Sequence, residues 1–314
     1  MLEVGERAPD FVLPSADGTP TRFYGQAGGR PTAIVLAPAD SSAGRDLSAA
    51  IAARGDLAVY WIADGAASIP EGAAGFVDAG GAVSARYGGG AAVVCLDANL
   101  RVTATASALD VVAVVAELDR AAYADAGVRI ESQAPMLMIP RVLDATLCDE
   151  LIAQCRSASV ETGVEQTAGT TRQAALDATY KRRRDLTVTA GEQLQALSAA
   201  VGRRVLPEVQ RAFAFRATRF EGFKVAWYDE SARGFFAPHR DNLTPATAHR
   251  VFGLSINLND DYTGGELAFP EYGDQRYRAP RGAAMVFSCD LLHAVRPVEE
   301  GARFVLLSFL YAER

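Results

Sequence analysis

Short β-type runs separated by turn residues fill the C-terminal part of the sequence, and this pattern constrains the fold more than any other. From Phe223 onward, Val, Phe, Leu, Ile and Tyr cluster in runs that end at Gly, Asp, Asn or Pro. The runs are FKVAWY, FGLSINLN, GELAFP, GAAMVFS and RFVLLSFLY. Many short strands with turn chemistry between them are typical of a β-sandwich or barrel, not of a parallel sheet.

The N-terminal part follows a different pattern, in which apolar runs alternate with helical stretches. The β-type runs lie at 33–37, 57–63, 91–97 and 100–105. Such alternation predicts an α/β domain. A helical pattern begins at Leu109 and ends in the small, polar segment 125–127. We therefore predict one domain at 1–127 and a second at 135–314.

The second domain begins with a mainly helical lead-in. After the apolar stretch 136–139, Asp144 or Thr146 can cap a helix. The Gly- and Thr-rich segment 161–171 is predicted to be a loop. A long helical pattern at 192–213 contains Pro207, which should break or kink it.

Composition excludes some partners. The net charge of −7 gives no electrostatic reason to expect nucleic acid or an acidic membrane, because such binding depends on phosphate neutralisation by Lys and Arg. The basic run KRRR at 181–184 is the exception, and we interpret it as a solvated face.

The cysteines and the N-terminal segment are used to predict the cellular compartment. The four cysteines lie in apolar surroundings without a CxxC pair, as expected of reduced, buried thiols. The start of the chain lacks the basic and apolar regions of a secretory signal, and no window is apolar enough to cross a bilayer. We predict a cytoplasmic protein with no membrane partner.

Two of the three histidines lie in a pattern with chemical meaning. His239 and Asp241 are two residues apart, so on a strand their side chains point to the same face. His293 follows later. Two imidazoles and one carboxylate on one side of a metal leave open positions for a co-substrate and O₂, as in non-haem Fe(II) oxygenases. Alone this pattern is weak, but Arg303 lies on the next predicted strand, where its guanidinium can bind a carboxylate bidentately.

These residues lie in segments that resemble the 2-oxoglutarate-dependent oxygenases of the prolyl hydroxylase-like branch. The segments are WYDESARGFFAPHRDN, SINLNDDYTGGELAFPEYG and AMVFSCDLLHAVRPVEEGARFVLLSF. The resemblance covers about 223–311, with weaker similarity back to 135. It implies a double-stranded β-helix, a jelly-roll of two facing antiparallel sheets with helices on one side.

The resemblance also implies roles for single residues. His239, Asp241 and His293 would bind Fe(II), and Arg303 would bind the C5 carboxylate of 2-oxoglutarate. Tyr228 occupies a strand position from which a hydroxyl can reach the co-substrate; the alternative is a half-buried strand tyrosine. Asn257 stands where many relatives have a tyrosine that contacts the same carboxylate, and its amide could still donate a hydrogen bond. Phe236 likewise replaces a tyrosine.

The activity implied is hydroxylation of an unactivated C–H bond, with release of succinate and CO₂ and stimulation by ascorbate. Our leading hypothesis is a small-molecule substrate, such as an amino acid or a natural-product intermediate. The alternatives are a peptidyl or protein hydroxylase of the prolyl type, and a binding protein with a vestigial metal site. Substrate contacts come from variable loops, so the resemblance does not decide between small molecule and peptide.

The segments GERAPDFVLPSADGTPTRF and GGGAAVVCLDANLRV resemble peroxiredoxins of the thioredoxin fold. Their peroxidatic cysteine follows a P-x-x-x-[ST]-x-x-C turn, but here Arg45 occupies that position, and Ala91 and Ala92 replace the usual cis-proline. Cys95 is interpreted as a core residue. We predict a redox-silent thioredoxin-like domain that packs against the oxygenase, forms a homodimer surface or shapes substrate access.

Overall fold

The computed structural model describes residues 2–36, 42–88, 92–122, 129–168, 171–175, 177–189 and 191–313, without the side chains of 164–168 and 171–175. The chain divides into two compact units, Met1–Val128 and Arg129–Arg314. No helix among the described residues is both long and apolar enough to cross a membrane.

The first unit is built around a mixed five-stranded sheet in the order β5-β4-β3-β6-β7. Strands β3, β4 and β5 are parallel to one another, whereas β6 and β7 are antiparallel to their neighbours. Its elements are β1 (Val12–Pro14), β2 (Pro20–Arg22), α1 (Phe23–Gln26), β3 (Thr32–Val35), α2 (Ser42–Ala52), β4 (Ala58–Ala63), a 3₁₀ turn (Ala66–Ser68), β5 (Gly75–Val77), α3 (Ala82–Tyr87), β6 (Val93–Leu96), β7 (Val102–Ala106) and α4 (Val111–Ala121).

Apolar side chains cover both faces of this sheet. Leu47 of α2 and Leu118 of α4 pack with Trp61 on one face. A Cβ at Gly44, in the first turn of α2, would lie 2.3 Å from the Trp61 ring, so only glycine allows this approach of helix to sheet. Arg45 lies on α2, whereas 38–41 and Ala91 lie outside the described residues.

Over its described residues, the second unit contains three helices and many short strands. They are β8 (Met136–Ile139), α5 (Ala145–Ala158), β9 (Val160–Glu161), β10 (Val164–Ala168), β11 (Thr171–Ala175), β12 (Lys181–Arg182), β13 (Arg184–Thr187), α6 (Gly191–Arg204), α7 (Leu206–Phe213), β14 (Arg219–Phe220), β15 (Lys224–Asp229), β16 (Phe235–His239), β17 (Phe252–Asn257), β18 (Thr263–Gly264), β19 (Leu267–Ala268), β20 (Arg276–Tyr277), β21 (Ala284–Ser288), β22 (His293–Val295), β23 (Val298–Glu300) and β24 (Ala302–Tyr311).

Two antiparallel sheets form the body of this unit. The larger has the order β8-β21-β17-β24-β15-β13-β9, with β14 paired to β24, and the smaller has the order β12-β16-β22-β19-β20. Apolar side chains of both sheets share one core, including Ala226, Phe287 and Val305 from the larger sheet and Leu267 and Val295 from the smaller. The sheets therefore face each other as a jelly-roll, and the predicted antiparallel β architecture is confirmed for this unit.

Alternation along β24 separates this core from the helical layer. Phe304 and Leu306 point away from the core between the two sheets and pack in a buried cluster with Leu151 of α5 and Leu197 of α6. Val305 points inward, and so does its neighbour of the same parity, Arg303, because side chains two apart share a face of a strand. Strand β24 thus places the Arg303 guanidinium in the interior between the two sheets.

Three predictions for the lead-in can be compared with the structure. The Asp144 cap is confirmed, since its carboxylate accepts a hydrogen bond from the Leu147 N–H at 2.8 Å. The break at Pro207 is confirmed, because α6 ends at Arg204 and the proline lies in the first turn of α7. The prediction of a loop at 161–171 is wrong for the residues that the structure describes there, because β10 and β11 pair as a hairpin. Backbone pairing there does not require the apolar alternation used to recognise strands.

Candidate metal and co-substrate site

The two histidines of the motif meet across adjacent strands of the smaller sheet. His239 ends β16 and His293 begins β22, and the two are direct register partners. Asp241 lies just beyond β16, not within a strand as predicted. Its carboxylate still faces both rings, with Oδ1 3.5 Å from His239 Nε2 and Oδ2 3.4 Å from His293 Nε2. One donor atom from each residue lies within 4.8 Å of the other two.

Both imidazoles are oriented by the backbone carbonyl two residues before them. His239 Nδ1 lies 2.8 Å from the Ala237 carbonyl oxygen, and His293 Nδ1 lies 3.0 Å from the Leu291 carbonyl oxygen. A carbonyl can only accept, so each Nδ1 carries the proton. The lone pair of each Nε2 therefore points at Asp241, which is the arrangement that a metal-binding imidazole requires.

Burial and charge set the protonation states of this group. Burial lowers the pKa of His293, more than the neighbouring Asp241 carboxylate raises it. Burial raises the pKa of Asp241, but its contacts with His239 and His293 and the charge of Arg250 hold that pKa below its ordinary value. A neutral imidazole and an ionised carboxylate are the forms that coordinate a metal.

The donor set fits a divalent first-row metal such as Fe(II). It offers two imidazole nitrogens and a carboxylate on one side, and aromatic rings pack against both imidazoles. Phe236 stacks on His239 with ring centroids 3.6 Å apart, and Phe287 lies 4.7 Å from His293. A Cβ at Gly253 would lie 3.2 Å from the Phe287 ring and 3.5 Å from Asp241 Oδ2. Glycine therefore leaves space beside the carboxylate.

Arg303 lies inside the same jelly-roll and is 1% exposed. Its Nη2 donates to Asn257 Oδ1 at 3.2 Å, whereas its Nε and Nη1 have no hydrogen-bond partner among the described residues. Buried guanidinium donors are costly to leave unsatisfied. Because Arg303 lines the cavity, these unsatisfied donors indicate a site for an anionic group, which would accept hydrogen bonds from both nitrogens.

Tyr228 adds a third donor to this end of the cavity. It is the register partner of Arg303 and is 1% exposed, not the half-buried tyrosine of the alternative interpretation. Arg183 Nη1 donates to the Tyr228 hydroxyl oxygen at 3.2 Å. A guanidinium cannot accept, so the hydroxyl proton of Tyr228 remains available for another acceptor. The geometry favours a role in anion binding.

Asn257 has a different place from the one predicted. Its amide nitrogen donates to the Ala279 carbonyl at 2.6 Å and to the Tyr262 hydroxyl at 3.1 Å, and its Oδ1 accepts from Arg303. Both N–H bonds are used, so none remains for a co-substrate. The Asn257 side chain therefore positions Arg303 and has no donor left for a co-substrate.

The prediction that the basic run is a solvated face is wrong for two of its four residues. The side chains of Lys181 and Arg183 are 6% and 11% exposed, while Arg182 and Arg184 are exposed. Strand alternation explains the difference, because every second residue faces inward. The i, i+2, i+4 series Lys181, Arg183, Asp185 was the available signal: its cations and carboxylate can neutralise one another inside.

A cavity of about 570 Å³ is lined by most of these groups. The three candidate metal donors, Arg303, Tyr228, Lys181 and Arg183 are among its lining residues. Their charges are mostly positive, and the walls between them are apolar, formed by residues such as Val305 and Leu307. The fold and the site thus define a jelly-roll protein with a buried two-histidine, one-carboxylate centre and a nearby anion-binding guanidinium.

The sequence is similar to bacterial proteins described as PKHD-type hydroxylases. It is 30% identical over 82 residues to one from Synechococcus sp. (strain JA-2-3B'a(2-13)), covering 24% of this chain and 37% of the relative. It is 31% identical over 126 residues to one from Cupriavidus metallidurans, covering 37% of this chain and 47% of the relative. The matches thus span less than half the length of these relatives. No family model matches the chain.

Solved structures of prolyl hydroxylases share a distant likeness. A viral collagen prolyl hydroxylase from Paramecium Bursaria Chlorella virus-1, determined with 2-oxoglutarate, has a TM-score of 0.42 and 18% identity, covering 57% of this chain and 96% of its own. A Trichoplax adhaerens prolyl hydroxylase, determined with a peptide fragment of hypoxia inducible factor, has a TM-score of 0.47 and 16% identity, covering 57% and 84%.

Proposed function

We propose that this protein is an Fe(II)- and 2-oxoglutarate-dependent hydroxylase. The observation that carries the proposal is the pairing, within one cavity, of the donor set His239, Asp241 and His293 with a buried Arg303 that keeps two N–H donors free. The similarity to PKHD-type hydroxylases supports it.

Different groups of the protein would bind the metal, orient the co-substrate and exclude water. His239, Asp241 and His293 would hold the metal, and Arg303 with the Tyr228 hydroxyl would bind the C5 carboxylate of the co-substrate. The metal would supply the reaction of O₂ in which 2-oxoglutarate becomes succinate and CO₂ while a substrate C–H becomes C–OH. Apolar walls keep water from competing for the charged ends.

We expect the anaerobic protein to bind one Fe(II) per chain, and 2-oxoglutarate to add a weak metal-to-ligand charge-transfer band in the visible. The expectation follows from three donors on one side of the metal, which leave adjacent positions for a chelating 2-oxo acid. Absorption spectroscopy of the iron-loaded protein before and after 2-oxoglutarate measures it. A folded, iron-loaded sample without the band would contradict the proposal, and succinate release in air is the matching activity assay.

We further propose a small molecule as the substrate, such as an amino acid or a natural-product intermediate. The cavity volume of about 570 Å³ is within the range of small-ligand sites and supports this choice. The alternative is a peptide or protein substrate, as the Trichoplax complex contains a peptide fragment. Screening succinate release against amino-acid, peptide and extract pools separates the two.

For the first unit we propose a redox-silent thioredoxin-like module in a cytoplasmic protein, with a homodimer surface as one of its possible roles. Its sheet order and the parallel pairing of β3 with β4 support the fold. All four cysteines are buried and unpaired, and burial raises the pKa of Cys95 to about 12. A thiol with so high a pKa is a poor nucleophile.

We expect no thiol-dependent peroxidase activity, and oxygenase turnover largely intact after all four cysteines are replaced by Ala or Ser. The reason is that no cysteine occupies the nucleophile position, where Arg45 stands, and that buried thiols react slowly. Peroxide consumption with dithiothreitol or thioredoxin measures the first, and succinate release by the folded variant the second. Rapid peroxide loss would show that the unit is a peroxidase.

A further inference from the structure

The proposed chemistry leaves Lys181 without a role, although it lies in the cavity. Lys181 on β12 is the register partner of Phe236 on β16, and its Nζ lies 5.4 Å from the centroid of that ring. Phe236 in turn stacks on His239. A single aromatic ring therefore separates the ammonium from a candidate metal ligand.

Charge around Lys181 is not balanced by the described residues. Arg183 forms two hydrogen bonds to Asp185, at 2.6 and 2.9 Å, so that carboxylate is already paired. Lys181 Nζ is 4.0 Å from Asp185 Oδ2, beyond hydrogen-bond distance, and donates to the Gly163 carbonyl at 3.1 Å. Among the described side chains, two buried cations thus share one carboxylate. Burial first, and then the charge of Arg183, lower the pKa of Lys181 to about 8.

A buried, uncompensated ammonium is costly, and binding an anion relieves the cost. The co-substrate cannot supply that anion if the proposed function is correct. Of its two carboxylates, one would chelate the metal and the other would bind Arg303. A third negative group must then come from the substrate.

We propose that Lys181, supported by Arg183, binds a carboxylate of the substrate, and that the substrate is a small carboxylic acid such as a free amino acid. The inference rests on the proposed function and extends it to the substrate class. Because the ammonium lies one ring away from His239, the carboxylate and the reacting carbon belong to one small molecule. An internal residue of a peptide has no main-chain carboxylate to offer.

The first experiment compares each acid with its own amide. Succinate release by the iron-loaded full chain is measured with the twenty free L-amino acids, their C-terminal amides, a series of simple monocarboxylic acids, and peptides blocked at both ends. We expect at least one free acid to stimulate turnover, with an apparent KM at least about tenfold lower than that of its amide, because a charge-assisted hydrogen bond is lost.

The second experiment tests the residue. Binding of the stimulating acid is measured by calorimetry with Zn(II) in place of iron and 2-oxoglutarate present, for wild type and for Lys181→Met, Lys181→Arg and Arg182→Met. Methionine keeps the apolar stem, and Arg182 is an exposed cation in the same run, so it is the matched control. We expect Lys181→Met to weaken binding at least about tenfold, Lys181→Arg to weaken it less, and Arg182→Met to bind like wild type.

The outcomes separate this inference from the function on which it rests. Uncoupled 2-oxoglutarate turnover with no stimulation by any acid, or with stimulation only by doubly blocked peptides, overturns the inference and leaves the function standing. Equal weakening of the acid and of 2-oxoglutarate in Lys181→Met also overturns it, since Lys181 would then belong to the co-substrate site. If 2-oxoglutarate neither binds nor turns over, the proposed function itself fails. The comparison of acid with amide holds even if a variant does not fold.

Discussion

His239→Ala or His293→Ala is expected to abolish substrate-independent turnover of 2-oxoglutarate, whereas His249→Ala stays within a few-fold of wild type. Each of the first two removes one of three protein donors, and the two that remain do not define the open face of the metal. His249 is outside the donor set: its Nε2 lies 2.9 Å from Glu221 Oε1, and its ring packs against the Tyr311 ring. Succinate release at saturating Fe(II) and 2-oxoglutarate measures the effect.

Metal content and melting temperature must accompany these assays, because His293 is 4% exposed and its removal also leaves a cavity. A variant that melts like wild type but has lost iron and activity supports the assignment. Equal losses of activity at all three histidines would show that the donor set is wrong.

Arg303→Ala is expected to raise the apparent KM for 2-oxoglutarate by roughly 30-fold or more. Removing one side of a buried, charge-assisted pair costs about 2 to 5 kcal/mol, and about 1.4 kcal/mol corresponds to a factor of ten. Iron affinity should change little, because Arg303 is not among the three metal donors. Arg303→Lys should recover part of the loss, since an ammonium keeps the charge without the planar fork.

Arg276→Ala is the matched control, as this arginine is exposed on β20 and does not line the cavity. Kinetic titration of 2-oxoglutarate for the four proteins gives the comparison. Pairing of Arg303 with a surface acid such as Glu299 or Glu300 would instead predict a normal KM and a small change in stability. An unchanged KM in Arg303→Ala would overturn the co-substrate assignment.

The centre of the site was accessible from sequence because its residues combine strand spacing with a resemblance to a known family. His239 ends β16, Asp241 follows two residues later, and Arg303 follows His293 on the next long strand. Asn257 was harder, since its role depends on which partners its amide meets. Ala279 is 22 residues from Asn257 and Tyr262 is five residues from it, and no helix or strand period links either of them to the asparagine.

The basic run shows why charge is a poor guide to exposure. In a sequence, four consecutive cations look like a solvated segment. Arg183 itself lies between β12, which is two residues long, and β13, which is four residues long. In the interior, Arg183 contacts Asp185, Tyr228 and the face of the Phe236 ring. None of these contacts is encoded by the run itself, so burial of its alternate members required the tertiary structure.

The carbonyl contacts of the two imidazoles bear on how the protein is handled. The carbonyls of Ala237 and Leu291, each two residues before its histidine, hold the rings of His239 and His293. These metal donors are therefore oriented before any ion binds. A preformed site also binds divalent ions other than iron. The affinity of such a donor set rises from Mn²⁺ through Fe²⁺ to Ni²⁺ and Cu²⁺, whichever ion supports turnover. Purification over nickel or in air is therefore expected to yield a mixed and largely inactive metal population. Chelation followed by anaerobic iron loading should precede any measurement of rate.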